Sequence, residues 1–302
     1  MIKFSIVITT YNRIEDLKIT LISLGNLFQR NDVELIICDD ASTDGTQVFL
    51  KKNYNNHVLL FNNKGKGLIH NRNILNNKAK GLYIISLDDD ACFLSKNVLE
   101  EIESCFINYP NCGVQNLRIF WSSNEPKLQL SKNKICKSKS FVGCGHVWRK
   151  LAWNSIANYP DWFVFYGEEN FASYQLIKTV WSVYYNPNIL IHHRVNIRAR
   201  KKDNDYIIRS RRSFRAGWYL YFLFYPLKEI PRRLAYTLWQ QIKIKTFKGD
   251  FKATIGVFQA LFDVLYNFPK LVKNANRLTI KEFKEYQNLP STKIYWKPEK
   301  KI

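Results

Sequence analysis

Four short apolar runs, rich in β-branched residues, alternate with amphipathic segments across residues 1–110. The runs are KFSIVITT (3–10), VELIIC (33–38), HVLLF (57–61) and LYIISL (82–87). The first intervening segment places Ile14, Leu17, Leu21 and Leu24 at helical spacing. Continuous apolar strands that alternate with amphipathic helices indicate a parallel sheet covered on both faces. We therefore predict an open α/β fold for this half of the chain.

Polar residues follow directly on three of these runs. They are Thr9 to Tyr11 after the first run, Asp39 and Asp40 after the second, and Asp88 to Asp90 after the fourth. The carboxyl ends of parallel strands meet at one edge of an open sheet, where ligands bind, so we expect these residues to share a cleft. Neither a Walker lysine loop nor a GxGxxG fingerprint accompanies them, which disfavours a nucleoside triphosphatase or a dinucleotide-binding site.

Asp88, Asp89 and Asp90 follow directly on the apolar run LYIISL, which is typical of a buried strand. Adjacent buried carboxylates repel one another, so they need either open solvent or a cation. Carboxylate oxygens suit Mg²⁺ or Mn²⁺, with a diphosphate supplying further oxygens. A solvated acidic turn is the alternative. Because a buried strand aims its end into a site, the sequence favours a divalent cation here.

The positive charge of the chain is concentrated in its C-terminal third. The whole chain has 46 Lys and Arg against 25 Asp and Glu, and residues 194–302 hold 25 of the former but 8 of the latter. These charges are mixed with aromatic residues, as on surfaces that contact anionic lipid headgroups. We therefore predict that the tail contacts a membrane surface. The alternatives are that biased codon usage explains the charge, or that the tail packs on the rest of the chain or forms a dimer. The apolar run 217–227 is too short to span a bilayer.

The pattern changes twice along the chain. Residues 111–205 contain strand-like pieces around loops, and residues 206–302 are helical in pattern, with Pro226, Pro231 and Pro269 as breaks. The six cysteines form no CxxC pair and the chain does not open on a signal-peptide pattern, so we expect a reduced, cytoplasmic protein. We predict one domain over 1–205 and a helical, basic extension over 206–302.

Five motifs occur in a specific order: SIVITTYNR, ICDDASTDGT, NKGKGLIHNRNILNNKAKGLYIISLDDDA, FVGCGHVWRK and WFVFYGEENFASYQL. Over residues 3–195 they resemble the GT-A glycosyltransferases of family 2. The resemblance implies a GT-A fold, a Rossmann-like and mostly parallel sheet flanked by helices, with a nucleotide-binding half (1–110) and an acceptor-binding half (111–205). It also implies transfer of a sugar from a nucleotide-diphosphate donor, with inversion and with Mn²⁺ or Mg²⁺.

Five residues resemble the family's nucleotide contacts. Thr9 and Tyr11 resemble residues that line the base and ribose, and Asp40 resembles the carboxylate that binds the base, with Asp39 beside it. Arg72 resembles the arginine near the nucleotide. UDP-sugar is the favoured donor because Asp40 resembles a uracil-binding carboxylate.

Asp88 and Asp90 resemble the ends of the family's DxD motif, with Asp90 as the direct metal ligand and Asp89 in the variable middle place. The run of three leaves open which of them contacts the nucleotide and which the metal. His192 or His193, in ILIHHRV, resembles a histidine of the family's metal or diphosphate site. A purely structural pair of histidines is the alternative.

Glu168 and Glu169, in GEEN, occupy the places of the family's acidic pair. We expect Glu169 to be the catalytic base, with a raised pKa, and Glu168 to share that role or to bind the acceptor. The alternative is that both only complement a helix dipole.

The expected function is inverting glycosyl transfer to a glycan or lipid-linked acceptor in cell-surface polysaccharide synthesis, at the inner membrane face. Two alternatives remain. A nucleic-acid-binding protein would use the basic tail, but residues 1–193 are nearly balanced in charge, and we expect no nucleic-acid partner. A sugar nucleotidyltransferase would carry a glycine-rich phosphate loop early in the chain. The segment at that place here, TTYNR, contains no glycine.

Overall fold

The computed structural model describes residues 1–195 and 205–298. Within them the strands are β1 (Phe4–Thr10), β2 (Val33–Asp39), β3 (Val58–Phe61), β4 (Tyr83–Asp88), β5 (Ala91–Phe93), β6 (Cys112–Trp121), β7 (Cys136–Ser138), β8 (Gly145–Arg149) and β9 (Ser182–His193). The helices are α1 (Ile14–Leu24), α2 (Thr46–Asn53), α3 (Leu68–Lys78), α4 (Val98–Asn108), α5 (Lys150–Asn154), α6 (Glu168–Leu176), α7 (Tyr206–Phe224), α8 (Ile230–Ile244), α9 (Phe251–Tyr266), α10 (Phe268–Lys273) and α11 (Ile280–Asn288).

All the strands belong to one sheet, in the order β3-β2-β1-β4-β8-β6-β9-β5, with β7 paired to β9. Strands β3, β2, β1 and β4 are parallel, as the sequence predicted. Strand β8 runs antiparallel to β4 and β6, and β6 is parallel to β9. The strands of residues 111–205 therefore extend the first sheet and do not form a second one.

Helices cover both faces of this sheet. Successive strand residues point to opposite faces, so Phe4, Ile6 and Ile8 of β1 enter the core beneath α1, α2 and α4. Val7 enters the other core, beneath α3, α6 and α7. The burial of both faces explains why the strands of the first half are apolar throughout and not alternating.

The C-terminal extension is helical and its first helix is part of the main core. Helix α7 buries Trp218, Tyr219, Leu223 and Phe224 in the same core as α3 and α6. Helices α8, α9 and α10 lie outside α7, and no described helix has the length and apolar character to cross a bilayer. The last residues of the extension, 299–302, lie outside the described residues.

Candidate active site

The candidate site is a cleft of about 930 Å³ at the carboxyl ends of β1, β2 and β4. The strand register pairs Thr9 with Asp88 and Thr10 with Asp39. Parallel pairing therefore brings the three polar clusters to one edge, as predicted. The volume is in the range of small-molecule sites.

The loop after β1 is tied to the loop after β2. The backbone N–H of Asn12 donates to Ser42 Oγ at 2.8 Å, and Thr43 N donates to Asn12 Oδ1 at 2.7 Å. Thr9 and Tyr11 line the cleft, and Tyr11 is 57% exposed. The hydrogen bonds thus hold an exposed aromatic ring at the mouth of the cleft.

Asp40 faces the cleft, whereas Asp39 does not line it. Asp40 accepts hydrogen bonds from the backbone N–H groups of Lys66 at 2.7 Å and Gly67 at 2.9 Å, and from Asn62 Nδ2 at 2.8 Å. Burial raises the pKa of Asp40, but these bonds lower it further, to below its usual value. Asp39 is fully buried and orders its own loop.

The three aspartates have different partners. Asp88 accepts from Arg72, while Asp89 accepts from Thr10 Oγ1 at 2.9 Å and from Arg13 at 2.9 Å. Burial, reinforced by Asp90 and Asp88 and opposed by Arg13, raises the pKa of Asp89 to about 7. This different environment separates Asp89 from the other two, and its middle place in a DxD motif stays a prediction.

Asp90 is the most enclosed of the three, at 1% exposure. Arg13 lies 2.7 Å from one of its oxygens and His193 Nε2 lies 2.9 Å from the other. Burial opposes ionisation, but the contacts with His193 and Arg13 lower the pKa of Asp90 to about 2. Asp90 is therefore a fixed negative charge at neutral pH.

The pairing of β5 with β9 brings a histidine to the aspartates. Ala91, the residue after Asp90 in the chain, pairs with His193 across these antiparallel strands. Ligand atoms of Asp88, Asp90 and His193 lie within 4.8 Å of one another. Two carboxylates and an imidazole are a donor set that fits Mn²⁺ or Mg²⁺.

His192 points away from this group, because neighbouring strand residues face opposite sides of a sheet. Its Nε2 lies 2.8 Å from the carbonyl oxygen of Ser122. The structure does not bring His192 to the aspartates, and the structural role that the sequence left open fits this histidine.

Arg72, buried on α3, connects the acidic groups. It donates to Asp88 Oδ1 at 2.6 Å, to Glu168 Oε1 at 2.8 Å and to the Gly143 carbonyl at 2.9 Å. Burial opposes its charge, but Asp88 and Glu168 raise the pKa of Arg72 above its ordinary value. Arg72 thus links the strand-end aspartates to the glutamate pair and holds both in place.

The two glutamates at the start of α6 have different environments. Both line the cleft, but Glu168 is 2% exposed and bound to Arg72, whereas the carboxylate of Glu169 accepts no hydrogen bond from a described residue. Burial and the charge of Glu168, opposed by Arg72, raise the pKa of Glu169 to about 8. A Cβ at Gly143 would lie 2.5 Å from Glu169 Oε1, so only glycine permits this approach.

The loop before the glutamates has an unusual backbone. Val164 and Tyr166 have positive φ angles of 69° and 71°, and Gly167 has a φ of 90°. A left-handed conformation costs a non-glycine residue about 1–2 kcal/mol. Such conformations persist where the surrounding structure imposes them, often at functional sites.

Sequence reasoning missed several cleft residues: Arg13, Lys66, Arg194, Arg209 and Arg212. Arg13 and Lys66 lie inside recognised motifs, so closeness to a strand end or to a glycine could have indicated them. Arg209 and Arg212 belong to α7 in the extension. No local pattern marks them, because only packing brings α7 to the cleft.

Comparison with known proteins agrees with this geometry. The model of glycosyl transferase family 2 matches residues 5–166. The chain is 34% identical to the Escherichia coli UDP-Glc:alpha-D-GlcNAc-diphosphoundecaprenol beta-1,3-glucosyltransferase WfaP over 117 residues, which is 37% of this chain and 46% of that protein. It is 28% identical to the putative glycosyltransferase EpsE of Bacillus subtilis over 209 residues, or 60% of this chain and 72% of EpsE. The chain therefore spans less than half the length of WfaP.

Solved structures share the fold at low sequence identity. TarS of S. aureus superposes with a TM-score of 0.53 and 16% identity over 70% of this chain and 38% of TarS. The mannosyltransferase PcManGT of Pyrobaculum calidifontis gives a TM-score of 0.53 with 13% identity over 94% of this chain and 78% of PcManGT. These likenesses confirm the predicted GT-A fold. Since the family model covers more than half of the sequence, the chain belongs to glycosyl transferase family 2.

Proposed function

We propose that this protein is an inverting glycosyltransferase that moves a sugar from a nucleotide-diphosphate donor to a hydroxyl group of an acceptor. The observation that carries the proposal is the position of Glu169. Its carboxylate faces the cleft without a hydrogen bond from a described residue, and Arg72 connects the neighbouring Glu168 to Asp88. A base and a group of potential metal ligands thus line one cavity.

In this proposal the nucleotide lies along Thr9, Tyr11 and Asp40. We favour a UDP-sugar, because WfaP is named for UDP-Glc and a structural neighbour, GalNAc-T7 (TM-score 0.52), was solved with UDP, GalNAc and Mn²⁺. PcManGT was solved with GDP-Man and Mn²⁺, so a GDP-sugar is the competing donor. Asp40 supports binding of a base N–H, since it is a carboxylate of lowered pKa at the cleft wall.

We propose that Asp88, Asp90 and His193 hold a divalent cation, Mn²⁺ or Mg²⁺. When bound, the cation would neutralise charge on the departing nucleoside diphosphate. Arg13 contacts Asp90 and Asp89 and keeps both in place.

Glu169 then accepts the proton of the acceptor hydroxyl as its oxygen attacks the anomeric carbon, on the face opposite the diphosphate. A base must be partly desolvated to have a pKa near neutral pH, and burial provides this for Glu169. Arg72 is a positioning residue, which stabilises Glu168 as an anion beside the base. Glu168 is already bound and therefore supports the base without replacing it.

The acceptor in this proposal is a glycan or a lipid-linked sugar of cell-surface polysaccharide synthesis. WfaP is named for a diphosphoundecaprenol-linked acceptor, and an acceptor of this kind lies in a membrane. The outer helices of the extension suit such a position.

Helix α9 has two apolar faces. One face packs Ala253, Gly256, Val257 and Ala260 against the protein. The other face carries large side chains at helical spacing, all of them exposed: Phe251, Ile255, Phe258, Phe262 and Leu265. Neighbouring segments add further exposed rings, namely Tyr236, Trp239, Phe247 and Phe268. We call these nine side chains the outer apolar face.

The outer apolar face lies among basic residues of the same segments: Lys245, Lys248, Lys252, Lys270 and Lys273. Exposed aromatic rings flanked by lysines are typical of helices that lie in the interface of an anionic membrane. We therefore propose that the enzyme docks peripherally on the inner membrane face through this surface.

Calorimetric titration of the wild type and of Asp90→Ala with UDP, GDP, dTDP and CMP, each with and without Mn²⁺, tests the proposed function. We expect one nucleotide to bind tightly, and only when both Mn²⁺ and Asp90 are present. If no nucleotide shows metal-dependent binding to the wild type, the acidic run is not a metal site and the proposed mechanism is wrong.

A further inference from the structure

Two arginines of the C-terminal extension line the cleft. Arg209 and Arg212 are three positions apart on α7 and therefore lie on the same helix face, and both border the cavity. They come from outside the segment that matches the family model, which ends at residue 166. They also lie beyond residue 195, where the motifs that resemble the family end, so those motifs assign them no role.

Other arginines of α7 are engaged within the fold. Arg211 donates to Asp263 of α9 at 2.7 Å, and Arg215 donates to the Phe163 carbonyl. Among the described residues, Arg209 donates to Asp205 at the start of its own helix and interacts with the side chain of Tyr166. Arg212 makes no hydrogen bond or ion pair with a described residue. Burial and the charges of Arg215 and Arg211 lower its pKa, and the charge of Asp205 only partly opposes them. A partly buried guanidinium among like charges is stabilised by an anion.

These arginines lie on the side of the cleft where the base is. Helix α7 contacts the loop before the glutamates: a Cβ at Gly167 would lie 3.0 Å from Ala216 Cβ, and Tyr166 raises the pKa of Arg209. Asp40 follows β2, which is separated from β8 by β1 and β4. With strands about 4.8 Å apart, the nucleobase end of the cleft, at Asp40, lies roughly 14 Å from the end at Gly143, which adjoins Glu169.

We infer that Arg209 and Arg212 form a subsite for a phosphate group of the acceptor. This inference rests on the proposed function, because it requires an acceptor hydroxyl at Glu169. Two guanidinium groups on one helix face suit the several oxygens of a phosphate or diphosphate ester. The subsite would make the enzyme select acceptors whose reacting sugar is linked to phosphate. The donor diphosphate is the other source of such a group, and the experiment distinguishes the two.

The experiment compares the wild type with Arg212→Gln, Arg212→Lys and Arg232→Gln. Arg232 is an exposed residue of α8 that does not line the cleft, so its variant loses the same charge elsewhere. Three probes are titrated by calorimetry: UDP with Mn²⁺, GlcNAc diphosphate carrying a short alkyl chain, and an alkyl glycoside of GlcNAc without phosphate. Circular dichroism melting verifies that each variant is folded.

We expect Arg212→Gln to bind the diphosphate probe about tenfold more weakly, with binding of UDP and of the neutral glycoside unchanged. Arg212→Lys should recover part of the loss, and Arg232→Gln should behave as the wild type. A loss confined to UDP would overturn the inference by assigning the arginines to the donor, and unchanged binding of all three probes would overturn the subsite itself. Metal-dependent UDP binding by the wild type tests the proposed function separately.

Discussion

The decisive difference at the residue scale is between Glu168 and Glu169. They are adjacent in sequence and both line the cleft, yet Arg72 binds Glu168 while the carboxylate of Glu169 accepts no hydrogen bond from a described residue. Burial and the charge of Glu168 raise the pKa of Glu169 against the opposing charge of Arg72, which makes Glu169 the stronger base. The assignment of Glu169 as catalytic base remains a prediction that two kinetic measurements can test.

The first measurement concerns the variant Glu169→Gln, which keeps the shape of the side chain but cannot accept a proton. We expect kcat to fall by about 10²- to 10⁴-fold, as is usual on loss of a general base, while the dissociation constant for UDP with Mn²⁺ stays unchanged. Glu285→Gln, an exposed change on α11, is the control. A kcat within twofold of the wild type would exclude Glu169 as the base.

The second measurement is the pH dependence of kcat/KM. The base acts only when deprotonated, and burial beside Glu168 raises the pKa of Glu169 to about 8. The rate should therefore increase with pH, roughly tenfold per unit below that value, and level off above it. A profile that is flat between about pH 6 and pH 9 would contradict a base of raised pKa.

At the scale of elements, the pairing of β5 with β9 completes the candidate metal group. Strand β5 has three residues and follows the aspartates directly. Its pairing with the end of β9 sets which of two adjacent histidines faces Asp90. The sequence could place a histidine near the site, but the strand register selected between His192 and His193.

Alanine variants of the two histidines make a matched pair. His193→Ala should weaken Mn²⁺-dependent UDP binding at least about tenfold, since a ligand of the proposed cation is lost. His192→Ala should leave that binding unchanged, because its ring contacts the Ser122 carbonyl on the other side of the strand. Titration calorimetry measures the affinity of both variants for UDP in the presence of Mn²⁺. An equal affinity of the two variants would contradict the assignment of His193 from the strand register.

At the scale of the whole molecule, the extension connects the cleft to the outer apolar face. Helix α7 lines the cavity with Arg209 and Arg212 and also packs against α9. Helix α7 therefore lines the proposed acceptor side of the cleft, and α9, packed against it, presents the outer apolar face to solvent. This arrangement would place an acceptor anchored in a membrane close to the base.

The outer apolar face can be tested with vesicles of phosphatidylglycerol and phosphatidylcholine. The triple change Phe258→Ser, Phe262→Ser and Leu265→Ser removes side chains that are 66%, 68% and 72% exposed, so the fold should be retained. We expect at least about 100-fold weaker partitioning in vesicle sedimentation, because each large apolar side chain contributes up to about 1.5–3 kcal/mol on burial.

The double change Ile22→Ser and Val48→Ser, at exposed positions on α1 and α2, serves as the control and should bind vesicles like the wild type. Equal binding by the triple variant would refute membrane docking through this face. Analytical ultracentrifugation of the wild type would reveal a dimer that uses the face instead, and that result would also refute it.

Much of the fold could be predicted from local sequence. The strand over residues 3–10 was expected where β1 spans Phe4–Thr10, and the other three strands of the parallel half agree to within a residue at each end. Strand-end polarity located the cleft. By contrast, the sequence indicated only strand-like pieces around loops in residues 111–205, whereas the strands there continue the same sheet.

The sequence by itself determined the α/β class, the sheet edge that carries the site and most of the candidate residues. These depend on residue periodicity and on motifs within one strand–loop–helix unit, where neighbours in sequence are also neighbours in space. Tertiary structure alone decided that Arg72 binds Glu168, 96 residues away, that His193 and not His192 meets Asp90, and that α7 supplies two arginines to the cleft. Such contacts depend on sheet order and helix packing, which bring distant segments together and leave no periodic trace in the sequence.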